Sequence, residues 1–299
     1  MILAELLRHI AAALPATAPS TDNEAFPWLI FLAASAPGLI LALAGAWRPR
    51  KVLGPDRVGP FHSGLQLLAV LLFGFFSYML VISAYSTRVH PHKGITDTDL
   101  AFLASVPPTI AFVLILTGDV AIGGRVGMKS LGLDPGQIPR GILFGIIGAL
   151  IAVPLVEWSM QLTEVLYLHW HYAHPMEHEL LPAMREGPVW ARAAVFFGAL
   201  VAAPLFEETI FRGHLQTLLR SLFIRLSGSA GTRPWHSWLA IFLASLAFAA
   251  MHPVWMMPPI FVLALCLGYA YERTGLLWTT ITMHALFNGI ETFLYFHFR

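Results

Sequence analysis

Long apolar runs separated by short polar breaks dominate this sequence. A run that crosses a hydrocarbon layer of about 30 Å needs roughly 20 mostly apolar residues when it is helical. That layer holds no water for backbone polar groups, and no alternating barrel pattern is present, so each run is predicted to be a helix. We therefore expect an all-α, polytopic integral membrane bundle with about eight transmembrane helices. The predicted spans are 27–47, 65–86, 99–122, 138–161, 190–218, 238–253, 257–272 and 276–296.

Composition agrees with a membrane location. The 299 residues are 57% hydrophobic and only 12% charged, whereas a soluble domain carries about 25% charged residues. The net charge of +1 gives no basis for nucleic-acid binding, since no basic stripe with interleaved aromatics is present, and nucleic acid is not an expected partner. The lone cysteine, Cys266, cannot form an internal disulfide. The expected surroundings are therefore a lipid bilayer.

One long polar connection, 162–189, divides the chain into two predicted regions. Residues 1–189 form an N-terminal membrane region with about four spans, and 190–296 form a second region with about four more. If the N-terminus lies outside, the inside segments carry more Lys and Arg than the outside ones, which predicts that both termini lie outside. Residues 1–18 are interpreted as an interfacial helix, with a cleaved signal peptide as the alternative.

The fifth predicted span contains the first chemical motif, a pair of glutamates followed by an arginine. An ionisable residue at membrane depth is a candidate functional residue because burying it is costly. Glu208 and Arg212 are four residues apart, so they share a helical face and can pair. Glu207 points about 100° away and cannot share that partner equally well, which leaves it free for chemistry. The alternative is a charge cluster that only ends the span. Pro204 is expected to kink this helix.

Two further motifs contain histidine. Phe248 and His252 are four residues apart near the end of an apolar stretch, where His252 is either a catalytic group or a helix-end residue. His284 and Asn288 are also four apart, midway along the last span. Polar residues on one face of an apolar helix are expected to point into the bundle and away from lipid. A simple hydrogen bond between helices is the alternative for this second pair.

Together these elements resemble the CAAX-protease and bacteriocin-processing family, the type II CAAX prenyl endopeptidases. The family motifs are Glu-Glu-x-x-x-Arg, Phe-x-x-x-His and His-x-x-x-Asn, and all three are complete and in order within about 190–296. The resemblance implies an intramembrane endopeptidase that uses a glutamate-activated water and acts on a membrane-associated or prenylated peptide. The catalytic residues implied are Glu207, His252, His284 and Asn288, supported by Glu208, Arg212 and Phe248.

The resemblance also implies individual roles. Glu207 acts as the general base and His252 helps to hold the water. His284 and Asn288 stabilise the oxyanion of the tetrahedral intermediate. Glu208 and Arg212 fix the motif helix. This chemistry needs no metal or other cofactor.

Other functions remain open from the sequence. A zinc protease would use Glu207, His252 and His284 as a His₂Glu ligand set with an open fourth position. The segment 169–178 ends in a His-x-x-Glu-His pattern that fits the inverted zinc signature. A non-enzymatic scaffold or transporter would also place charged residues inside spans, although no internal repeat of the kind that many carriers show is present.

Overall fold

The structure, a computed structural model, is largely helical and contains no strand in the residues it describes. These residues are Leu68, Leu72, Tyr78, 97–173, 184–228 and 233–298. The predicted span 27–47 lies outside them, and 65–86 is described only at three helical positions. The all-α class is confirmed for the described part of the chain, while the number of eight spans stays a prediction.

Six long helices follow one another in the part of the chain from residue 97 onwards. Short 3₁₀ turns at Pro135–Gln137 and Val254–Met256 lead into the second and the fifth. The six are α1 (Asp97–Ser130), α2 (Ile138–His169), α3 (Val189–Leu226), α4 (Pro234–Ala249), α5 (Met257–Thr274) and α6 (Leu277–Phe298).

Some helix ends differ from the predicted ones. The polar connection was expected to begin at 162, but α2 continues to His169. Apolar residues still recur among the polar ones in that stretch, so helix formation does not stop where the mean hydropathy falls. The fifth predicted span, about 190–218, extends further, to Leu226, so the glutamate pair lies in the middle of a long helix.

The described helices support an integral membrane protein. Four helical stretches among them are long and apolar enough to cross a membrane: Ala101–Ala121, Met128–His169, Val189–Leu226 and Val254–Thr274. The helix α4 is apolar but shorter. The helix α6 is long enough to span a membrane, but its two histidines, its asparagine and its glutamate lower its mean hydropathy. Such a polar helix is expected inside a bundle, next to other helices.

Close packing against α2 holds α6 in the bundle. A Cβ atom added at Gly145 would lie 2.5 Å from Cβ of Thr282, and one at Gly148 would lie 2.7 Å from Sδ of Met283. Small residues let two membrane helices approach closely and gain van der Waals contact. This contact brings the polar positions of α6 to the centre of the described bundle.

The helix α3 is continuous but contains two π-helical segments, Gly198–Ala202 and Thr209–Gln216. They bracket the short α-helical stretch Ala203–Glu208 that carries the glutamate pair. Pro204 is the second residue after the first π segment, and the N–H of the intervening Ala203 bonds to the Gly198 carbonyl. The expected disturbance at Pro204 therefore coincides with a π segment inside an unbroken helix, a feature that is frequent at functional sites.

Candidate active site

Glu208 lies at the centre of a fully buried polar cluster. Its Oε1 accepts a hydrogen bond of 2.9 Å from Nη1 of Arg212 and another of 2.9 Å from Nδ1 of His284. Glu208 is 0% exposed, and Arg212 also donates to the carbonyl oxygen of Ala264 at 3.3 Å. A carboxylate and a guanidinium survive burial because each neutralises the other. Glu208 is thus committed to two cationic or hydrogen-bonding partners.

Phe248 packs against most of this cluster with its ring. The Arg212 guanidinium carbon lies 4.4 Å from the ring centroid, a cation–π geometry. The His252 ring centroid is 4.9 Å away and that of His284 is 5.9 Å away. The aromatic residue of the second motif therefore touches a residue from each of the three motifs and holds them in one arrangement.

His252 lies just beyond the end of α4, which finishes at Ala249. The sequence predicted a span through 253, but Pro253 restricts the residue before it and cannot donate a backbone hydrogen bond. The Nδ1 atom of His252 is 2.9 Å from the Phe248 carbonyl oxygen. A carbonyl oxygen only accepts, so Nδ1 carries the hydrogen. The Nε2 atom of the neutral ring is then an acceptor.

Glu207 and His252 line the same cavity, whose volume is about 360 Å³. The Glu207 side chain is 24% exposed, in contrast to its fully buried neighbour Glu208. One of its carboxylate oxygens lies 3.9 Å from Nε2 of His284, a gap that a water molecule can bridge. The remaining wall is largely apolar and includes Tyr78, Leu103, Pro108, Phe206, Phe211 and Met251.

Asn288 reaches the cavity indirectly. Its Nδ2 donates to the carbonyl oxygen of Ala199 at 2.8 Å, and Ala199 lines the cavity. The asparagine is partly buried, one turn after His284 on α6. The structure thus brings Glu207, His252 and His284 together, while Asn288 supports the wall formed by the first π segment.

A comparison with protein families identifies this arrangement. Residues 188–290 match the family model of the Rce1-like type II CAAX prenyl endopeptidases. These residues are an Rce1-like domain. All the motif residues lie within the matched segment, so the family predicted from the three motifs is confirmed, as is the class of membrane endopeptidase. No curated protein and no solved structure matches the chain.

The cavity of the Rce1-like domain includes residues that the motifs did not indicate. Tyr78 stacks on Phe206 with ring centroids 4.8 Å apart, and both line the cavity. Leu103 and Pro108 of α1 also line it. These residues lie before the matched segment, and an apolar or aromatic residue within an apolar run gives no signal of a site.

A second missed feature did carry a signal. Asp119 and His214 are ionisable residues inside predicted spans, and the structure pairs them at 3.0 Å with both side chains fully buried. An intramembrane ionisable residue is a functional candidate by default. Neither residue belongs to one of the three motifs, so the motifs gave no indication of this pair.

Metal ligation was an open alternative from the sequence. Within the described residues, no group of three or more His, Cys, Asp or Glu side chains is arranged to hold a metal ion. The His-x-x-Glu-His pattern at 174–178 lies outside those residues.

Proposed function

We propose that this endopeptidase hydrolyses its peptide substrate with a water activated by Glu207, and that the reaction needs no metal. The observation that carries the proposal is the contrast between the two neighbouring glutamates. Glu208 is 0% exposed and bonded to Arg212 and His284, whereas Glu207 is 24% exposed on the cavity wall. Only Glu207 has a carboxylate that can receive a proton from water in the cavity.

In the first step, the water oxygen attacks the carbonyl carbon of the scissile bond, and its proton passes to the Glu207 carboxylate. His252 orients that water, because its Nε2 accepts a hydrogen bond while Nδ1 is held by the Phe248 carbonyl. The tetrahedral intermediate then collapses. The carbon–nitrogen bond breaks, and Glu207 returns the proton to the leaving amine as a general acid.

Two donors on α6 stabilise the oxyanion in this proposal. Nδ1–H of His284 donates to Glu208. Donation to the oxyanion from Nε2 therefore requires the imidazolium form of the ring, which lies between the carboxylates of Glu207 and Glu208. Asn288 uses one Nδ2 hydrogen for the Ala199 carbonyl. An amide nitrogen carries two hydrogens, so the second remains for the substrate. Donors placed where negative charge develops lower the barrier without reorganisation.

The proposed substrate is a membrane-associated peptide, possessing a prenyl group or another apolar anchor. The apolar side chains of the cavity wall, among them Phe206, Phe211 and Met251, suit an apolar chain beside the scissile bond. The proposed orientation has both termini outside, on the basis of the distribution of Lys and Arg along the sequence.

The test is a cleavage assay in detergent with a peptide library that includes farnesylated peptides ending in a CAAX sequence. Glu207→Gln is nearly isosteric, so it should abolish turnover and leave the fold intact. Glu186→Gln makes the same chemical change at a side chain that is 70% exposed, and it should keep full activity. Normal turnover by the Glu207→Gln protein would overturn the mechanism.

A further inference from the structure

A buried ionisable pair joins α1 to α3 outside the catalytic cluster. Nε2 of His214 lies 3.0 Å from Oδ1 of Asp119, and both side chains are 0% exposed. Asp119 lies 95 positions before His214 and outside the segment 188–290 that matches the family. The proposed mechanism makes no use of this pair.

The second nitrogen of His214 bonds to the backbone of α3. Nδ1 lies 2.8 Å from the carbonyl oxygen of Thr209, which only accepts, so Nδ1 carries a hydrogen. Nε2 faces Oδ1 of Asp119 at 3.0 Å. His214 therefore has one hydrogen bond to α1 and one to the backbone of its own helix.

That backbone carbonyl belongs to the residue directly after Glu208. Thr209 begins the second π segment, Thr209–Gln216. Ala111 and Ile115 of α1 pack against the side chains on either side of the glutamate pair, Phe206 and Ile210. The position of Glu207 thus depends on how α1 packs against α3.

A second contact between the same two helices lies towards their N-terminal ends. Gly198 approaches Ala104 so closely that an added Cβ would overlap the Ala104 carbonyl oxygen. The residues of α1 beside this contact, Leu103, Ala104 and Pro108, line the catalytic cavity. Two contacts, Ala104 on Gly198 and Asp119 on His214, therefore set one cavity wall against the helix that carries Glu207.

We propose that Asp119 and His214 are positioning residues of the proteolytic reaction. His214 holds the Thr209 carbonyl and thereby the orientation of the preceding glutamates, and Asp119 holds His214. This inference rests on the proposed role of Glu207 as the base. A reacting group displaced by about 1 Å costs up to about 100-fold in rate, so loss of the Thr209 contact should lower kcat.

Two amide substitutions separate the two hydrogen bonds of His214. In glutamine, Nε2 lies as many bonds from Cβ as Nε2 does in histidine. His214→Gln therefore keeps the hydrogen bond to Asp119 and loses the one to Thr209. In asparagine, Nδ2 lies as many bonds from Cβ as Nδ1 does in histidine, so His214→Asn keeps the hydrogen bond to Thr209 and loses the one to Asp119. Asp119→Asn keeps both bonds, because its amide donates to Nε2 of a neutral imidazole.

The experiment measures kcat, KM and thermal stability of the full chain in detergent with a farnesylated peptide ending in a CAAX sequence. His214→Gln should lower kcat by about 10-fold to 100-fold with little change in KM. His214→Asn should lower it less, and Asp119→Asn should stay within about threefold of wild type. The control is Glu272→Gln, which weakens a different buried pair, that of Arg220 on α3 with Glu272 on α5 at 3.2 Å. The new amide keeps an oxygen that accepts the hydrogen bond from Gln216.

The outcomes separate positioning from stability. The proposal requires that His214→Gln loses more kcat than a Glu272→Gln protein of similar melting temperature. It is overturned if folded His214→Gln stays within about threefold of wild type, or if kcat follows melting temperature alone across all four variants. The same assay includes Glu207→Gln. Turnover by that protein refutes the proposed function, whereas an inactive Glu207→Gln beside a fully active His214→Gln refutes only the positioning role.

Discussion

Asn288 donates a hydrogen bond of 2.8 Å to the carbonyl oxygen of Ala199, 89 positions earlier in the chain. Ala199 belongs to the π segment Gly198–Ala202, which lines the cavity next to Glu207. The asparagine therefore holds the cavity wall through one amide hydrogen. In the proposed mechanism its second amide hydrogen is the donor to the oxyanion.

Asn288→Ala should lower kcat by about 10²-fold to 10³-fold with little change in KM, because it removes a donor used in the transition state. Asn288→Asp has the same shape but no N–H group, and it should lose as much. Thr292→Ala is the control, since its hydroxyl only bonds the Asn288 carbonyl within α6 at 2.7 Å. Steady-state kinetics with a cleaved peptide gives both constants. A pure rise in KM would instead place Asn288 in substrate binding.

Glu208→Gln should lower the free energy of unfolding of the protein. The change leaves Arg212, which is 1% exposed, without its carboxylate. Breaking one side of a buried pair costs about 3–5 kcal/mol of unfolding free energy. The measurement is thermal or denaturant unfolding in detergent. Glu186→Gln disrupts the exposed pair with Arg185 and should cost about 0–1 kcal/mol. Equal losses for the two variants would contradict the importance of burial.

Tyr78 should act on catalysis through its ring. The ring of Tyr78 stacks on that of Phe206 with centroids 4.8 Å apart. Phe206 directly precedes Glu207 in the sequence. Such an aromatic pair contributes about 0.5–1.5 kcal/mol beyond its buried area. We expect Tyr78→Leu to lower kcat/KM by up to about tenfold, while Tyr78→Phe retains the wild-type value. A large loss in the phenylalanine variant would assign the function to the hydroxyl group instead.

Removal of metal should leave cleavage intact. If Glu207 were a zinc ligand, the adjacent Glu208 could not serve as the base, because it is already bonded to Arg212 and His284. A zinc protease of the zincin type supplies a separate glutamate as the base. The test combines a membrane-permeant chelator, metal analysis and the peptide assay. Stoichiometric zinc whose removal stops cleavage, with recovery when zinc is added back, would make Glu207, His252 and His284 ligands.

The sequence alone was sufficient for features that depend on neighbouring positions. Apolar runs predicted helices because a backbone in lipid has no other partner for its polar groups. The four-residue spacing of Glu208 and Arg212 predicted a shared face, and the two side chains lie 2.9 Å apart. The predicted ends of the helices were less accurate. The continuation of α2 to His169 and the end of α4 before His252 depend on local termination signals that hydropathy does not resolve.

The helical class, the membrane location and the three motifs can be read from the amino-acid sequence, because each follows from composition or from spacing within a single turn of helix. Which residues meet across the bundle depends on the packing of whole helices. His284 bonds Glu208 across 76 positions, and Asp119 bonds His214 across 95. Such contacts depend on how whole helices pack, through close approaches such as Gly198 on Ala104. Helical periodicity specifies the face of the helix on which a residue lies. Which other helix contacts that face depends on packing between helices that are distant in the chain.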